Sequence, residues 1–333
     1  MTWIPILYIY IIGVLLLCAL VMAFFKRTRR FSIIPFVLGL ILNFTSQSVP
    51  VNLFAKNEQK GLSIMTYNMN SASEYFKSVH ENPREMVDFI VEQNADIVIL
   101  EECYSMYCEQ SFYKLMSEQY PYVNMQQNGC PNLVYSKFPL GRLEELRIAE
   151  GEPPAFVEAL ERYDHKVVHE RNNVTGMFVY TPIDSLYLLT CHLTSNGYDT
   201  IRSVMNENDS WISGIPAYVE SINKATDSRC IEAKAIVQRA SALYNNNVKV
   251  IVAGDMNDVA GSRTIKTLQK DGILCNAWWE KGCGLGLTFH GHGLMHFRLD
   301  HFLHTNNIKL NGIRGVEQKY SDHDPVVAYF EYE

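Results

Sequence analysis

Six blocks of acidic, amide and imidazole side chains punctuate the chain. They are Asn68 and Asn70 in SIMTYNMN, Glu101 and Glu102 closing DIVILEE, His192 and Asn196 in LLTCHLTSN, Asp255, Asn257 and Asp258 in VIVAGDMND, Asp300 in FRLDHFL, and Asp322 and His323 in YSDHDPVVAYF. Nearly all sit beside an apolar run. A carboxylate buried there is costly unless it is paired or bound to a cation. One at the mouth of almost every run calls for a shared cation or a shared ligand. Oxygen donors with only one or two imidazoles suit a hard octahedral ion, Mg2+ or Mn2+, better than zinc. Taken singly, each block reads as a turn or a helix cap; Asp255 and Asn257 could simply cap a helix starting near Ser262. Together they read as one site.

The runs that would position these groups are short and β-rich. Strands are predicted over 62–67, 97–100, 132–136, 175–180, 186–192, 248–253, 298–304 and 326–331, and several are unbroken apolar stretches of the kind covered on both faces. Helices are predicted over 83–93, where Met86, Phe89, Ile90 and Gln93 form one stripe, and over 231–244. The polar stretch 198–230 reads as an irregular insertion at the rim. Residues 48–60 read as a linker and 61–333 as one α/β domain without internal repeats.

Residues 1–25 carry no charged side chain, and 3–25 form an almost unbroken apolar run. That length spans a hydrocarbon core of about 30 Å at about 1.5 Å per residue. Trp3, Tyr8 and Tyr10 lie towards one end, where amphipathic rings favour an interface. The basic KRTRR follows this run instead of preceding it, which argues against a cleavable signal peptide. A second, shorter run at 31–47 holds Pro35 and Gly39. Residues 1–47 are therefore read as a transmembrane hairpin of two segments, 3–25 and 31–47, with the lipid bilayer as their partner. The positive-inside bias then places loop 26–30 in the cytoplasm and the large domain outside; a single crossing would leave that domain in the cytoplasm.

Charge is uneven: +4 over the first fifty residues and −11 over the rest, for a net −7. So acidic a body grips phosphate backbones poorly. At 47% hydrophobic the chain is excluded from the disordered classes. Its eight cysteines include no CxxC pair, and Cys275 with Cys283 is a candidate bridge in an oxidising compartment. His290, His292, His296 and His301 are close enough in sequence for a zinc site, weighed against a rim loop that contacts substrate or merely packs.

The blocks, in their order, resemble the endonuclease/exonuclease/phosphatase superfamily, the fold of deoxyribonuclease I-like nucleases, AP endonucleases, neutral sphingomyelinases and inositol-polyphosphate 5-phosphatases. GDMN, RLD and SDHDP carry most of the resemblance, and TFHGHG at 288–293 is similar to a segment upstream of RLD in bacterial members. The resemblance covers Gly61 to Glu333 and leaves the hairpin outside. It implies a four-layer sandwich of two mixed β-sheets flanked by helices. It also implies divalent-metal-dependent hydrolysis of phosphate esters, phosphodiesters foremost, with nucleic acid, a lipid headgroup or a small phosphoester as substrate.

By residue, the resemblance implies Asn68 near the metal and the scissile phosphate, Glu102 as metal ligand with Glu101 facing away, and Asp322 as a further metal ligand. Asp255 and Asn257 match the pair that positions water and phosphoryl oxygens. His323 matches the histidine of the SDH motif, Asp300 the carboxylate that orients it, and His192 the second histidine of the two-histidine branch. Asp255 or His323 would activate water, and His192 or metal-bound water would serve the leaving oxygen. Glu101 stands where the family usually has Gln, and Glu170 is a candidate partner for His192. The alternative, a catalytically inactive binding or scaffold module on the same fold, typically loses the metal Glu or the SDH histidine; both are present here.

Overall fold

Side chains along the strands alternate between two apolar environments, and that alternation sets the layers. The computed structural model describes residues 4–52, 56–70, 83–103, 110–124, 132–146, 174–195, 211–291 and 296–331. Helices α1 (Tyr8–Phe24) and α2 (Ile33–Ser46) come first, then β1 (Leu62–Asn68), α3 (Pro83–Glu92), β2 (Ile97–Glu101), α4 (Gln110–Gln119), β3 (Tyr122–Asn124), β4 (Asn132–Ser136), β5 (Glu144–Glu145), β6 (Val174–Tyr180) and β7 (Ser185–His192). The second half holds α5 (Trp211–Tyr244), β8 (Lys249–Asp255), α6 (Arg263–Leu268), β9 (Leu274–Asn276), α7 (Ala277–Lys281), β10 (Phe289–His290), β11 (His296–Phe297), β12 (Asp300–Thr305), β13 (Leu310–Gly315) and β14 (Val326–Phe330).

One sheet runs β13-β14-β1-β2-β4-β3 and the other β5-β6-β7-β8-β12-β9. Each is mixed, with one parallel pair, β1 with β2 and β7 with β8. Ile64, Ile99, Leu188, Ile251 and Phe302 meet between the sheets. Their neighbours Met65, Val98 and Leu100 face the other way, onto Met86 and Ile90 of α3 and Phe112 and Met116 of α4. On the second sheet Leu189, Val250 and Val252 pack on Ala233 and Ile236 of α5 and Ile265 and Leu268 of α6. The order of layers is helix, sheet, sheet, helix, as expected.

The period of two that buries Ile64, Ile99, Leu188 and Ile251 between the sheets carries Thr66, Asn68, Glu101, Thr190, His192 and Asp255 inward further along the same strands. The interior therefore turns from apolar to polar at one end. Asn132 Nδ2 donates to Thr190 Oγ1 across the sheets at 3.4 Å, and Thr190 shares a 2.8 Å hydrogen bond with Thr175.

Three expectations change. Residues 211–230 are not irregular: α5 is a single helix of 34 residues. Its buried stripe includes Arg229 and Glu232 beside Ile222, Ala225 and Ala233, and those charges broke the apolar pattern in the sequence. The cysteines Cys275 and Cys283 are both free. Strands β3, β5, β9 and β13 were absent from the sequence reading, being two to six residues long and, in β13, interrupted by Asn311 and Arg314.

Helices α1 and α2 pack against each other as an antiparallel pair. Pro5–Phe24 is long and apolar enough to cross a membrane; α2, at 14 residues, is short of that length. Residues 46–52, partly within the predicted linker, are tied to the domain. Arg298 donates to the carbonyls of Gln47 and Ser48, Asn52 donates to those of Trp279 and Gly282, and Phe44 meets Trp279 edge-on. Gly261, at φ +78°, lets Ser46 approach; a Cβ there would lie 2.7 Å from the Ser46 Cβ.

Candidate active site

Strand register alone joins three blocks in one sheet and two in the other. Asp255 at the end of β8 pairs with His192 of β7 on one side and Asp300 of β12 on the other, while Asn68 of β1 pairs with Glu101 of β2. The two sheets then close on one carboxylate oxygen. Asp255 Oδ2 accepts from Asn68 Nδ2 at 3.0 Å and has His192 Nε2 at 3.8 Å and His323 Nε2 at 3.9 Å. Asn68 Nδ2 also reaches Glu102 Oε1 at 3.3 Å, and His192 Nε2 lies 3.3 Å from the same oxygen. His323 donates Nδ1–H to Asp300 Oδ2 at 2.8 Å, which leaves Nε2 as the nitrogen turned towards Asp255. Tight glycine packing makes this possible: a Cβ on Gly254 (φ +142°) would lie 1.8 Å from the Cys191 carbonyl oxygen.

Three non-glycine residues just beyond the strands hold positive φ: Asn70 at 44°, Glu102 at 52° and Asn257 at 49°. Such angles are uncommon outside glycine and cluster at functional sites. At Glu102 the angle ends the strand, so simple alternation no longer applies to the Glu101–Glu102 pair. Glu101 does not face away. It is fully buried and accepts from Thr66 Oγ1 at 2.5 Å. Asn257 donates its backbone N–H to Asp255 Oδ1 and its amide to the Leu193 carbonyl, fastening the GDMN turn to the end of β7.

The Asp322 carboxylate accepts from Ser321 Oγ at 3.4 Å and its carbonyl from the His290 N–H, and its charge acts on His323. His323 turns inward to Asp300. Asn196, Glu170 and His292 lie outside the described residues. Ser262, not Asp255 or Asn257, caps α6, accepting from the Ile265 N–H.

The model of the Endonuclease/Exonuclease/phosphatase family matches residues 65–323, spanning every one of these groups. The chain belongs to that family. A comparison with curated proteins gave no match. Solved structures share the fold at low identity. An endonuclease/exonuclease/phosphatase from Bacteroides vulgatus is 14% identical, with a TM-score of 0.57 over 83% of this chain and 100% of its own. A mannosyl-6-phosphatase from Bacteroides thetaiotaomicron is 12% identical, with a TM-score of 0.53 over 82% and 100%. D. rerio TDP2 complexed with a single-strand DNA product is 14% identical, with a TM-score of 0.53 over 81% and 98%. Members of the endonuclease/exonuclease/phosphatase family hydrolyse phosphoester bonds and typically use a divalent metal.

The electrostatics of the site fit such a cation. Asp255 and Asp300 are directly opposed on adjacent strands, where like charges repel. Burial and the charge of Asp300 push the Asp255 carboxyl above its usual range. Burial and the charges of Asp300 and Asp255 push Glu101 well up too. Asp300 Oδ1 and Glu101 Oε2 are buried without a hydrogen-bond partner. Ligand atoms of Asp255, Asp300 and His323 lie within 4.8 Å of one another, a spacing that one cation can bridge. Burial opposes charge on His323, but Asp300 and Asp255 outweigh it and lift the imidazole to about 10. Burial also opposes ionisation of Glu102, yet the contacts with His192 and Asn68 hold it below its usual value.

Several supporting residues were missed. Thr288 Oγ1 accepts from the N–H groups of Leu299 and Asp300, fixing the backbone that carries the carboxylate. Ser321 Oγ donates to the Asn68 carbonyl and accepts from the His323 N–H, joining the ends of two blocks. From α5, Glu232 accepts from the Thr194 N–H and hydroxyl, and Arg229 donates to the Thr194 carbonyl while pairing with Asp258 at 3.4 Å. That helix braces the loops after β7 and β8. The signal was present as charges inside an otherwise apolar stripe.

Proposed function

We propose that the chain is a membrane-tethered phosphoesterase, acting on phosphodiesters foremost, that depends on Mg2+ or Mn2+. The observation that carries this reading is the convergence on Asp255 Oδ2 of Asn68, His192 and His323, with Glu102 one contact away. Glu102 and Asn68, with the Asp255 carboxylate beside them, would hold the ion, which when bound neutralises charge building on the phosphoryl oxygens. Asp255 fixes the position of the attacking water. With a cation in the site to offset the Asp255 and Asp300 charges that otherwise keep the imidazole protonated, His323, its tautomer set by Asp300, would take the proton at Nε2. His192, lying on the Glu102 side, serves the leaving oxygen, and Asn257 holds the turn that keeps Asp255 aimed.

The tether reading rests on the hairpin. Apart from Val51, Tyr122, Tyr180, Ile183 and Leu285, every large exposed apolar side chain among the described residues belongs to residues 7–44. A continuous apolar surface of that extent is a membrane or partner face. With KRTRR at its far turn, the positive-inside bias places the catalytic domain outside the cytoplasm. The net −11 beyond residue 50 favours a lipid headgroup or a small phosphoester over a long nucleic acid. The test is hydrolysis by the full chain in detergent of sphingomyelin, phosphatidylglycerol, sugar phosphates, single-stranded DNA and RNA, each with Mg2+ and with chelator. Chelator-sensitive turnover of at least one class is expected; inertness towards all five overturns the reading.

A further inference from the structure

Several cations of the acidic domain are neutralised by partners: Lys137 pairs with Asp96, Lys249 with Asp184, Arg239 with Glu144 and Lys309 with Glu331. Three others gather beside the start of the hairpin. Arg263, Lys266 and Lys270 follow one another at spacings of three and four, which puts them on a single face of α6 and its continuation. Arg263 is tied to Asp227 at 2.5 Å, but Lys266 and Lys270 have no ion-pair partner among the described residues. This face lines a cleft of about 510 Å3 shared with Pro5, Tyr8 and Thr267, and among the described residues no carboxylate lines it. The volume lies within the roughly 300–1,000 Å3 typical of small-ligand sites.

The position of the cleft decides its ligand. Tyr8 opens α1, and Lys266 Nζ lies 5.9 Å from the centroid of its ring. The far end of α2 meets the same region, because Ser46 rests on Gly261 and Gln47 bonds to Gln269. Both legs of the hairpin thus reach the domain here, and the exposed apolar surface begins immediately beyond, at Leu7 and Ile11. If α1 crosses a bilayer, this is the depth of the lipid headgroups. Cations, a phenol and a hydroxyl at that depth, beside acyl-chain-facing surface, match a phosphate that carries a net negative charge. A zwitterionic headgroup would bring a second cation beside Lys266 and Lys270, and the nearby Asp227 carboxylate is already taken up by Arg263.

We infer that the cleft between α6 and the start of α1 is a binding site for the headgroup of an anionic phospholipid. The inference rests on the membrane-tether reading. Each lysine near an anionic surface is worth about fivefold in affinity, so losing two lowers it on the order of tenfold or more.

Detergent-solubilised full chain is titrated with dioctanoyl phosphatidylglycerol, dioctanoyl phosphatidylcholine or inorganic phosphate while the thermal unfolding midpoint is followed. A saturable rise with phosphatidylglycerol alone is expected, weakened at least tenfold in the K266Q/K270Q variant. Equal stabilisation by phosphatidylcholine, an unchanged response in the variant, or a matching response to inorganic phosphate overturns the lipid site. K266Q alone, which leaves Lys270 and the fold in place, provides an intermediate response should the double variant fail to fold; no weakening in it also counts against the site. Flotation with pure phosphatidylcholine vesicles separates the two readings. A chain that does not float contradicts the tether, whereas one that floats without preferring phosphatidylglycerol contradicts only the headgroup site.

Discussion

Asp255 carries a charge that its surroundings resist, with burial and Asp300 both disfavouring ionisation, and it is bounded by two imidazoles and an amide. His323 is the group whose loss should be felt most in turnover, and His323→Gln is expected to reduce kcat by about 10²–10⁴-fold, measured under saturating substrate. Glu101 follows a different rule. Burial and Asp300 push its carboxyl up, which favours the protonated form, and that form has the shape of the Gln usual at that position. Glu101→Gln should therefore leave turnover unchanged. It should also raise stability at pH 7: a carboxyl with a raised folded value loses stability as pH climbs above its unfolded value of 4.5, and an amide does not. Chemical denaturation at pH 5 and pH 8 reads the difference. His301 works on the acid side. Burial, and then the charge of Arg298, hold it at about 4 against an ordinary 6.5, while Nε2 meets the Asp258 carbonyl at 2.9 Å. Below pH 6.5 the unfolded chain takes up a proton that the folded one refuses until about pH 4, so stability falls through that window. His301→Gln, which keeps a donor for Asp258, should flatten that slope.

Strands β7, β8 and β12 place His192, Asp255 and Asp300 in one row, and that much was legible from apolar runs ending in polar residues. The positions of Asn68, His192, Asp255 and His323 follow from order and strand ends alone. What the sequence concealed was the bracing. Arg229 and Glu232 are buried on α5, where their charges made a helix read as an irregular insertion. The alternation argument failed at Glu101 because a left-handed residue ended the strand immediately after it. Arg229→Met is expected to cost about 3 kcal/mol, since it leaves Asp258 buried without its cation, measured as a shift in the urea midpoint. Gly254→Ala should cost more than about 1 kcal/mol and lower turnover together with stability, because a methyl group there meets the Cys191 carbonyl.

The hairpin and the catalytic domain meet through Arg298, two residues before Asp300, whose guanidinium is buried and donates to the carbonyls of Gln47, Ser48 and Leu285. Cations at a helix C-terminus are favoured by its exposed carbonyls, so the RLD motif that supplies Asp300 also seats the end of α2. The apolar hairpin is therefore continuous with the site-bearing framework. The chain should stay in the membrane pellet after an alkaline carbonate wash, and release into the supernatant would contradict the tether. The whole account turns on a divalent ion and a phosphoryl group meeting at the Asp255 end of the sandwich. Single-turnover hydrolysis of a chromogenic phosphodiester by the full chain, titrated with Mg2+, compares wild type with Glu102→Gln and His323→Gln. The expected result is turnover that chelator abolishes, a Mg2+ requirement shifted to higher concentration by Glu102→Gln, and a rate lost in His323→Gln at any Mg2+ concentration. Turnover indifferent to chelator, or equal in all three proteins, would contradict it.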